Sequence, residues 1–246
     1  MRVAVFSDIH ANRQAFDACL AHSRSLGADA TVLLGDYVGY GGDPEWCLDT
    51  VMELAARGAV ALRGNHDDAI NGSVAGMNST AAAALLWTLG RLNAERRRFL
   101  AGLPLTADTH GCLFVHADAS RPERWNYVTN ALEAARSMAA TDAAVTICGH
   151  THQPALFSLA GRNGLTADTP LSGAPIAFAP GRRWLAVLGA VGQPRDGNPN
   201  ACWAMLDTER RELTLHRVAY DVEAAAEAIL SQGLPARLAD RLFAGW

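Results

Sequence analysis

Five short clusters hold the residues best suited to chemistry: Asp8-Ile9-His10, Gly35-Asp36, Gly64-Asn65-His66-Asp67, Val115-His116-Ala117 and Gly149-His150-Thr151-His152. Together they contain five of the eight histidines. Imidazole nitrogen and carboxylate oxygen suit borderline and hard divalent cations, and no cysteine stands among these candidates, which argues against a soft thiolate site. His10 and His152 each lie two residues from another candidate donor, and in a turning loop such a pair can reach one cation or two adjoining ones. Singly, the pieces say little. Asp8-x-His10 is a common strand-end turn, Gly35-Asp36 an ordinary one, and Gly64-Asn65 a routine left-handed turn. The ordered set is what points to metal.

Each cluster follows an apolar run that reads as a strand. Val3 to Ser7, Ala30 to Leu34 and Ala59 to Leu62 are the first three such runs. Between them, Arg13 to Leu26 places Phe16, Cys19, Leu20 and Ser23 at helical spacing. Asp43-Pro44-Glu45 then opens a helix ending near Gly58, with a capping residue, a proline at the first position and an early acid. In such a β-α-β-α-β unit the crossovers should be right-handed and the strands parallel. Binding sites in open α/β sheets gather beyond the carboxyl ends of the strands, where these clusters stand. The spacing further predicts a helix over Ser79 to Leu100 broken near Asn93, and a hairpin of Thr106 to Thr109 and Cys112 to Val115 turning at His110-Gly111. A buried strand at Val145 to Cys148 follows. Strands at Ala155 to Leu159, Trp184 to Ala190, Ala201 to Leu206 and Glu212 to Val218 come next, with turn chemistry at Asn163-Gly164 and Thr208 to Arg211. Helices over Val222 to Ser231 and Ala236 to Phe243 close the chain. No repeat, low-complexity tract or interdomain linker interrupts it, so residues 1–246 read as one domain.

The chain has 246 residues, half of them hydrophobic, enough for a large α/β core. Its net charge of −4 supplies no global attraction to nucleic acid or anionic lipid. All 21 basic residues are arginines, so any phosphate clamp must be built from guanidinium forks, backbone N–H groups or metal. Five dispersed cysteines, Cys19, Cys47, Cys112, Cys148 and Cys202, form no C-x-x-C pair and point to a reducing compartment. With no signal-like start and no bilayer-length apolar run, a cytoplasmic protein without a membrane partner is expected. His22, His110 and His216 read as surface or structural histidines, Cys148 as strand packing, and Arg96, Arg97 and Arg98 as a solvated helix face.

The ordered set D-x-H, G-D, G-N-H-D, H and G-H-x-H resembles the calcineurin-like metallophosphoesterases, from Asp8 to His152. Gly35 to Gly41 (GDYVGYG) and Val191 to Gly197 (VGQPRDG) are similar to the compact bacterial and archaeal phosphodiesterase-like branch. The resemblance implies a four-layer αββα sandwich with two central mixed sheets. It assigns Asp8, His10 and His152 to one divalent ion and Asn65, His116 and His150 to a second, with Asp36 bridging; Mn, Fe, Zn, Ni or Mg would suit the donors. It further implies attack by a metal-activated hydroxide on a phosphodiester or phosphomonoester. His66 would act on the leaving group as general acid or transition-state stabiliser, and Asp67 would orient the ligands or His66. Asn12, Arg13, Tyr40, Arg63 and Arg195 are candidate substrate contacts. One departure concerns Arg195: relatives often carry Asn-Pro-Gly-Ser before its loop, whereas this chain has Leu188-Gly189-Ala190. The expected partner is a small phosphoester or nucleotide, with dinucleoside-polyphosphate hydrolase and protein phosphatase as neighbouring activities. A nuclease is least favoured by the charge. Outside enzymes, the rival is a metal-binding scaffold or protein-interaction module on the same fold. Oligomeric state is left open.

Overall fold

The computed structural model describes residues 1–70, 72–161 and 164–246. The first part of the chain runs β1 (Arg2–Phe6), α1 (Arg13–Ser25), β2 (Ala30–Leu33), α2 (Pro44–Ala56), β3 (Val60–Ala61) and a short α3 (Asn65–Ala69). Next come α4 (Ser79–Arg91), α5 (Ala94–Gly102), β4 (Thr106–Thr109), β5 (Cys112–Val115), a 3-10 turn at Pro122–Arg124, α6 (Ala131–Ala139) and β6 (Val145–Cys148). The remainder is β7 (Ala155–Ala160), β8 (Gly164–Asp168), β9 (Pro175–Ala177), β10 (Arg183–Val187), β11 (Ala201–Asp207), β12 (Glu212–Val218), α7 (Val222–Ser231) and α8 (Ala236–Ala244).

The strands form two sheets of six, ordered β3-β2-β1-β11-β12-β9 and β4-β5-β6-β10-β7-β8. Both are mixed. In the first, β1, β2 and β3 are parallel while β11 returns antiparallel to β1, with Val3 opposite Leu206. In the second, β5, β6 and β10 are parallel and the outer pairs antiparallel. Period-two alternation explains the layering. Val3 and Val5 of β1, Phe114 of β5, Ile147 of β6 and Ala204 of β11 all face the space between the sheets and pack there as one core. Ala4, Phe6 and Trp203 point the other way, under helices α1 and α2, and Val115, Cys148 and Val187 point outward beneath α6. The result is a four-layer αββα sandwich whose helical covers are unequal: several helices lie over the first sheet, and α6 over the second.

Local signals account for most boundaries. Side chains of Asn12, Asn78, Asn93, Asn130 and Asp221 accept the N-terminal N–H groups of α1, α4, α5, α6 and α7. Asp43 does not cap α2 with its carboxylate, which turns instead towards Arg13 and Gln14. The arginine run also differs from the expected solvated face: Arg96 forks onto Asp49 at 2.8 and 2.7 Å, and Arg97 donates to the carbonyls of Leu89 and Leu92, so two of the three tie α5 to its neighbours. α3, α6, β8 and β9 are additions to the sequence reading. β9 is three residues at a sheet edge and β8 is largely exposed, so neither carries a strong apolar pattern. The turn expected at Asn163-Gly164 has Asn163 outside the described residues. No helix of the described residues is long and apolar enough to cross a membrane.

Candidate metal centre

β1, β2, β3, β5 and β6 all end at one edge of the sandwich, and each of the five clusters begins where its strand stops. Sharp turning there is built into the backbone. Asp8, His10, Asp36, Tyr40, His150 and His152 all lie in the left-handed region, with φ between 47° and 68°. For residues other than glycine each such conformation costs roughly 1–3 kcal/mol and persists only where the surroundings enforce it. Gly149 permits the closest approach: a Cβ there would strike Ser7 Oγ and Asp8 Oδ2.

Two of the buried carboxylates, Asp8 and Asp36, are used alike. Asp8 Oδ2 accepts from Ser7 Oγ (2.6 Å) and the His150 N–H (3.0 Å), leaving Oδ1 without a hydrogen-bond partner and facing His152 Nε2 at 3.3 Å. Asp36 Oδ1 accepts from the His66 N–H (2.8 Å), which leaves Oδ2 between His116 Nε2 at 3.4 Å and His10 Nε2 at 3.6 Å. Each carboxylate therefore spends one oxygen on the chain and turns the other inward.

The histidines repeat that division. Nδ1 of His10, His116 and His152 lies 3.1, 3.1 and 2.6 Å from the carbonyls of Val38, Leu34 and Gln193. A carbonyl can only accept, so each Nδ1 carries a proton and each Nε2 is the atom turned towards the centre. Yet Nε2 of His10 and Nε2 of His152 are 3.1 Å apart, and His116 Nε2 is 3.2 Å from Asn65 Oδ1, another acceptor. Acceptor atoms brought this close need a positive charge among them, which a proton or a divalent cation supplies. His150 is less constrained, with Nδ1 3.2 Å from His116 Nε2 and its buried Nε2 unpaired. Asp8, His10 and His152 form one group able to hold an ion, Asp36, His116 and His150 a second, and His10, Asp36 and His66 a third overlapping both. The residues present fit divalent metal.

A sequence model of the calcineurin-like phosphoesterase superfamily domain matches residues 1–211. The chain belongs to this superfamily. An uncharacterised protein of Methanocaldococcus jannaschii is 32% identical over 250 residues, covering 99% of this chain and 98% of that protein. A structure described as a metallophosphoesterase from Sphaerobacter thermophilus aligns with a TM-score of 0.88 and 34% identity, covering 100% of this chain and 99% of that one. A hypothetical protein from Pyrococcus horikoshii aligns with a TM-score of 0.80 at 20% identity, over 100% and 98% of the two chains, a likeness of fold.

In this superfamily member the electrostatics follow from burial around the two carboxylates. Burial would raise Asp8 and Asp36, but the facing histidines, His152 first for Asp8 and His116 for Asp36, hold both below the usual carboxylate range. Burial lowers His116, yet Asp36 outweighs it and carries the ring up to about 9. His150 falls to about 3 through burial and the neighbouring His116, and His66 to about 4, chiefly through burial. Asp67 accepts from the N–H groups of Asp36 (2.7 Å), Tyr37 (2.9 Å) and Gly64 (2.9 Å), so it fastens the second cluster to the third. Burial and then Asp36 push its carboxyl up to about 7 against the pull of those donors.

The candidate substrate contacts divide. Asn12 is occupied in the fold: its oxygen caps α1 and its amide donates to Gly192 O at 2.9 Å. Arg13 lies over Trp46, and Arg63 reaches Ala101 O and Asp68. Tyr40 and Arg195 do converge on the centre. The Tyr40 ring lies 4.6 Å from both His10 and His66, and the Arg195 guanidinium sits 5.6 Å from that ring. His66 is held in place by Gly39, at φ +85°, where any Cβ would strike its Nδ1.

Beside the centre opens a cleft of about 610 Å³, whose walls include Tyr40, Asn65, His66, Trp125, Tyr127 and His150. The two loop aromatics were not foreseen. Tyr127 stacks on His150 at 4.2 Å while half exposed, and Trp125 packs edge-on to His116 at 6.0 Å. Their only sequence signal is the aromatic and arginine content of Arg121 to Tyr127, directly after the His116 cluster. Gln193 was missed too, although its carbonyl fixes His152, because a backbone role leaves no side-chain signature.

Proposed function

We propose that this protein is a hydrolase of phosphate mono- or diesters working with two divalent cations, one held by Asp8, His10 and His152, the other by Asn65, His116 and His150, with Asp36 shared. The position of Asp36 Oδ2, between Nε2 of His10 and Nε2 of His116, carries this reading. Manganese, iron, zinc, nickel and magnesium all fit the donors. Such ions supply Lewis acidity, polarising phosphoryl oxygen and acidifying water.

The chain's own residues do the rest. Asp36 and Asp8 balance the cationic charge, and the carbonyls of Val38, Leu34 and Gln193 hold a proton on each Nδ1 and so aim each Nε2 inward. His66, on the cleft wall, hydrogen-bonds the departing oxygen and hands it a proton. A phosphate anion beside it opposes the burial that holds the ring near 4. Asp67 positions Asp36 through its backbone. The cleft matches a small phosphoester or nucleotide. Residues 1–246 act as one domain, since β11 pairs directly with β1. Five buried, unpaired cysteines support a reducing, cytoplasmic setting.

The test is hydrolysis of aryl phosphate mono- and diesters with Mn²⁺ by Asp36→Asn. Its activity should fall by more than about 100-fold, beyond the 10–100-fold typical of groups outside the coordination sphere. Full activity with metal content intact would overturn the mechanism. His66→Ala should cost about 10²–10⁴-fold on alkyl esters and much less on p-nitrophenyl esters, whose leaving group needs no proton. An equal loss on both would remove His66 from proton transfer. Tight metal binding with no turnover across a panel of phosphoesters would favour the scaffold instead.

A further inference from the structure

Arg195 and Arg241 converge on one neutral acceptor. Arg195 donates to Gln193 Oε1 from Nη2 at 3.0 Å and from Nε at 3.3 Å, and Arg241 Nη1 lies 3.5 Å from the same oxygen. Among the described residues neither guanidinium pairs with a carboxylate, whereas Arg96, Arg136 and Arg217 each do. Nε of Arg241 is buried with no hydrogen-bond partner. Burial and the adjacent Arg195 both lower the Arg241 pKa, as expected for cations gathered without a counter-charge. The Trp246 ring lies 5.6 Å from the Arg241 guanidinium, a contact that supplies no counter-charge, and in a chain of net charge −4 carboxylates are plentiful enough to have been placed there.

The surroundings have the shape of a site. Arg241 and Arg237, on successive turns of α8, face the start of α4 across a cavity of about 270 Å³ lined also by Asn78, Ser79 and Thr80. Asn78 accepts from the Ala81 N–H of α4, and the N–H groups of Ser79 and Thr80 before it lack intrahelical partners and carry partial positive charge. Asn78 also stands on the wall of the larger cleft that contains His66 and Asn65. The Tyr40 ring lies 5.6 Å from the Arg195 guanidinium and 4.6 Å from the His66 ring. A phosphoryl group at Asp36 and an anion at these arginines could belong to one small molecule.

We infer that the substrate is a phosphoester carrying a second phosphate, which Arg195, Arg241 and the start of α4 bind while the ester lies at Asp36. Phosphate matches the site better than carboxylate, because its charge approaches −2 and three oxygens can serve two guanidinium forks and the helix N–H groups together. The inference rests on the hydrolase reading above and names the class of substrate for it. It gives Arg195 and Arg241 a binding role distinct from the reacting centre.

The experiment compares methyl p-nitrophenyl phosphate with its 2-phosphoethyl and 2-carboxyethyl counterparts on the metal-loaded enzyme. The 2-phosphoethyl ester should be preferred in kcat/KM at least tenfold over the methyl ester, and Arg241→Gln should erase most of that ratio while the surface variant Arg98→Gln leaves it. A preference equal in wild type and Arg241→Gln, or none in either, overturns the inference. So does an equal preference for the 2-carboxyethyl ester, which would make the site one for anions in general. Calorimetry on metal-free protein keeps the two readings separable, with pyrophosphate as probe. Binding that weakens at least tenfold in both Arg241→Gln and Arg195→Gln, at unchanged Tm, supports the anion site even if no ester is hydrolysed. Absent or unaltered binding overturns it even if turnover is seen.

Discussion

Two groups of histidines show what separates a candidate metal centre from a packing cluster. At the sheet edge, His10, His116 and His152 sit on loops, their Nδ1 atoms fastened to carbonyls and their Nε2 atoms brought together. On the outer face of the first sheet, His22 of α1 and His216 of β12 flank Trp203, and their rings are also close, 5.3 Å between centroids. There the Trp203 indole N–H donates to His22 Nδ1 at 3.3 Å, and His216 stacks on the indole at 4.6 Å. Ring proximity is common to both. What differs is whether lone pairs are aimed at one point, and loops at strand ends can do that where a helix and a strand offer only stacked faces.

The comparison breaks most sharply on metal. Saturating Mn²⁺, at 100 times its Kd, should add about 2.7 kcal/mol to the wild type and raise its Tm by about 5–10 °C. His152→Ala should lose most of that rise and more than about 100-fold of phosphoesterase activity, while His216→Ala keeps both. A metal response lost equally in the two variants, read by thermal scanning, would erase the distinction. Second in size is the packing effect. Trp203 is fully buried, so Trp203→Ala should destabilise by about 3–5 kcal/mol, while its Mn²⁺-induced shift survives. Smallest is a pH effect at His216, held at about 4 by burial and then by His22, against an ordinary 6.5. The unfolded chain takes up this proton below pH 6.5 and the fold does not until about pH 4, so the contribution is present above 6.5 and declines across that window. Wild type should therefore lose Tm relative to His216→Gln as the pH falls from about 7 to about 4; a constant difference would show that the ring's charge plays no part.

Much of this was legible in the sequence because the same residues served two signals. An apolar run followed at once by Asp8, Asp36, Asn65, His116 or His150 marks both a strand and the end at which binding occurs. The parallel pairing of β1, β2 and β3 followed from two helical crossovers, and the hairpin at His110-Gly111 from its turn residues. Less was legible where a side chain had two possible employers. Asn12 adjoins the first cluster yet is committed to α1 and Gly192, and Arg63 precedes the third cluster yet turns to Asp68. α6 escaped notice because it is only nine residues long and its Leu132 faces solvent, leaving the small Ala134 and Ser137 beside Met138 as its buried face. Tyr127 lay beyond reach for another reason: its neighbour His150 is contributed by a different strand, and only the fold makes them adjacent.

The pairing of β1 with β11 sets an order of events during synthesis. Asp8 and His10 leave the ribosome early, but β1 cannot gain its second hydrogen-bonded neighbour until Ala201–Asp207 has emerged, and the carbonyl that fixes His152 belongs to Gln193. Contacts separated by so much chain form late and slowly. The candidate ion pocket is thus completed only after Ala201–Asp207 has been made, so a metal taken up there would meet the folded site and not the first cluster alone.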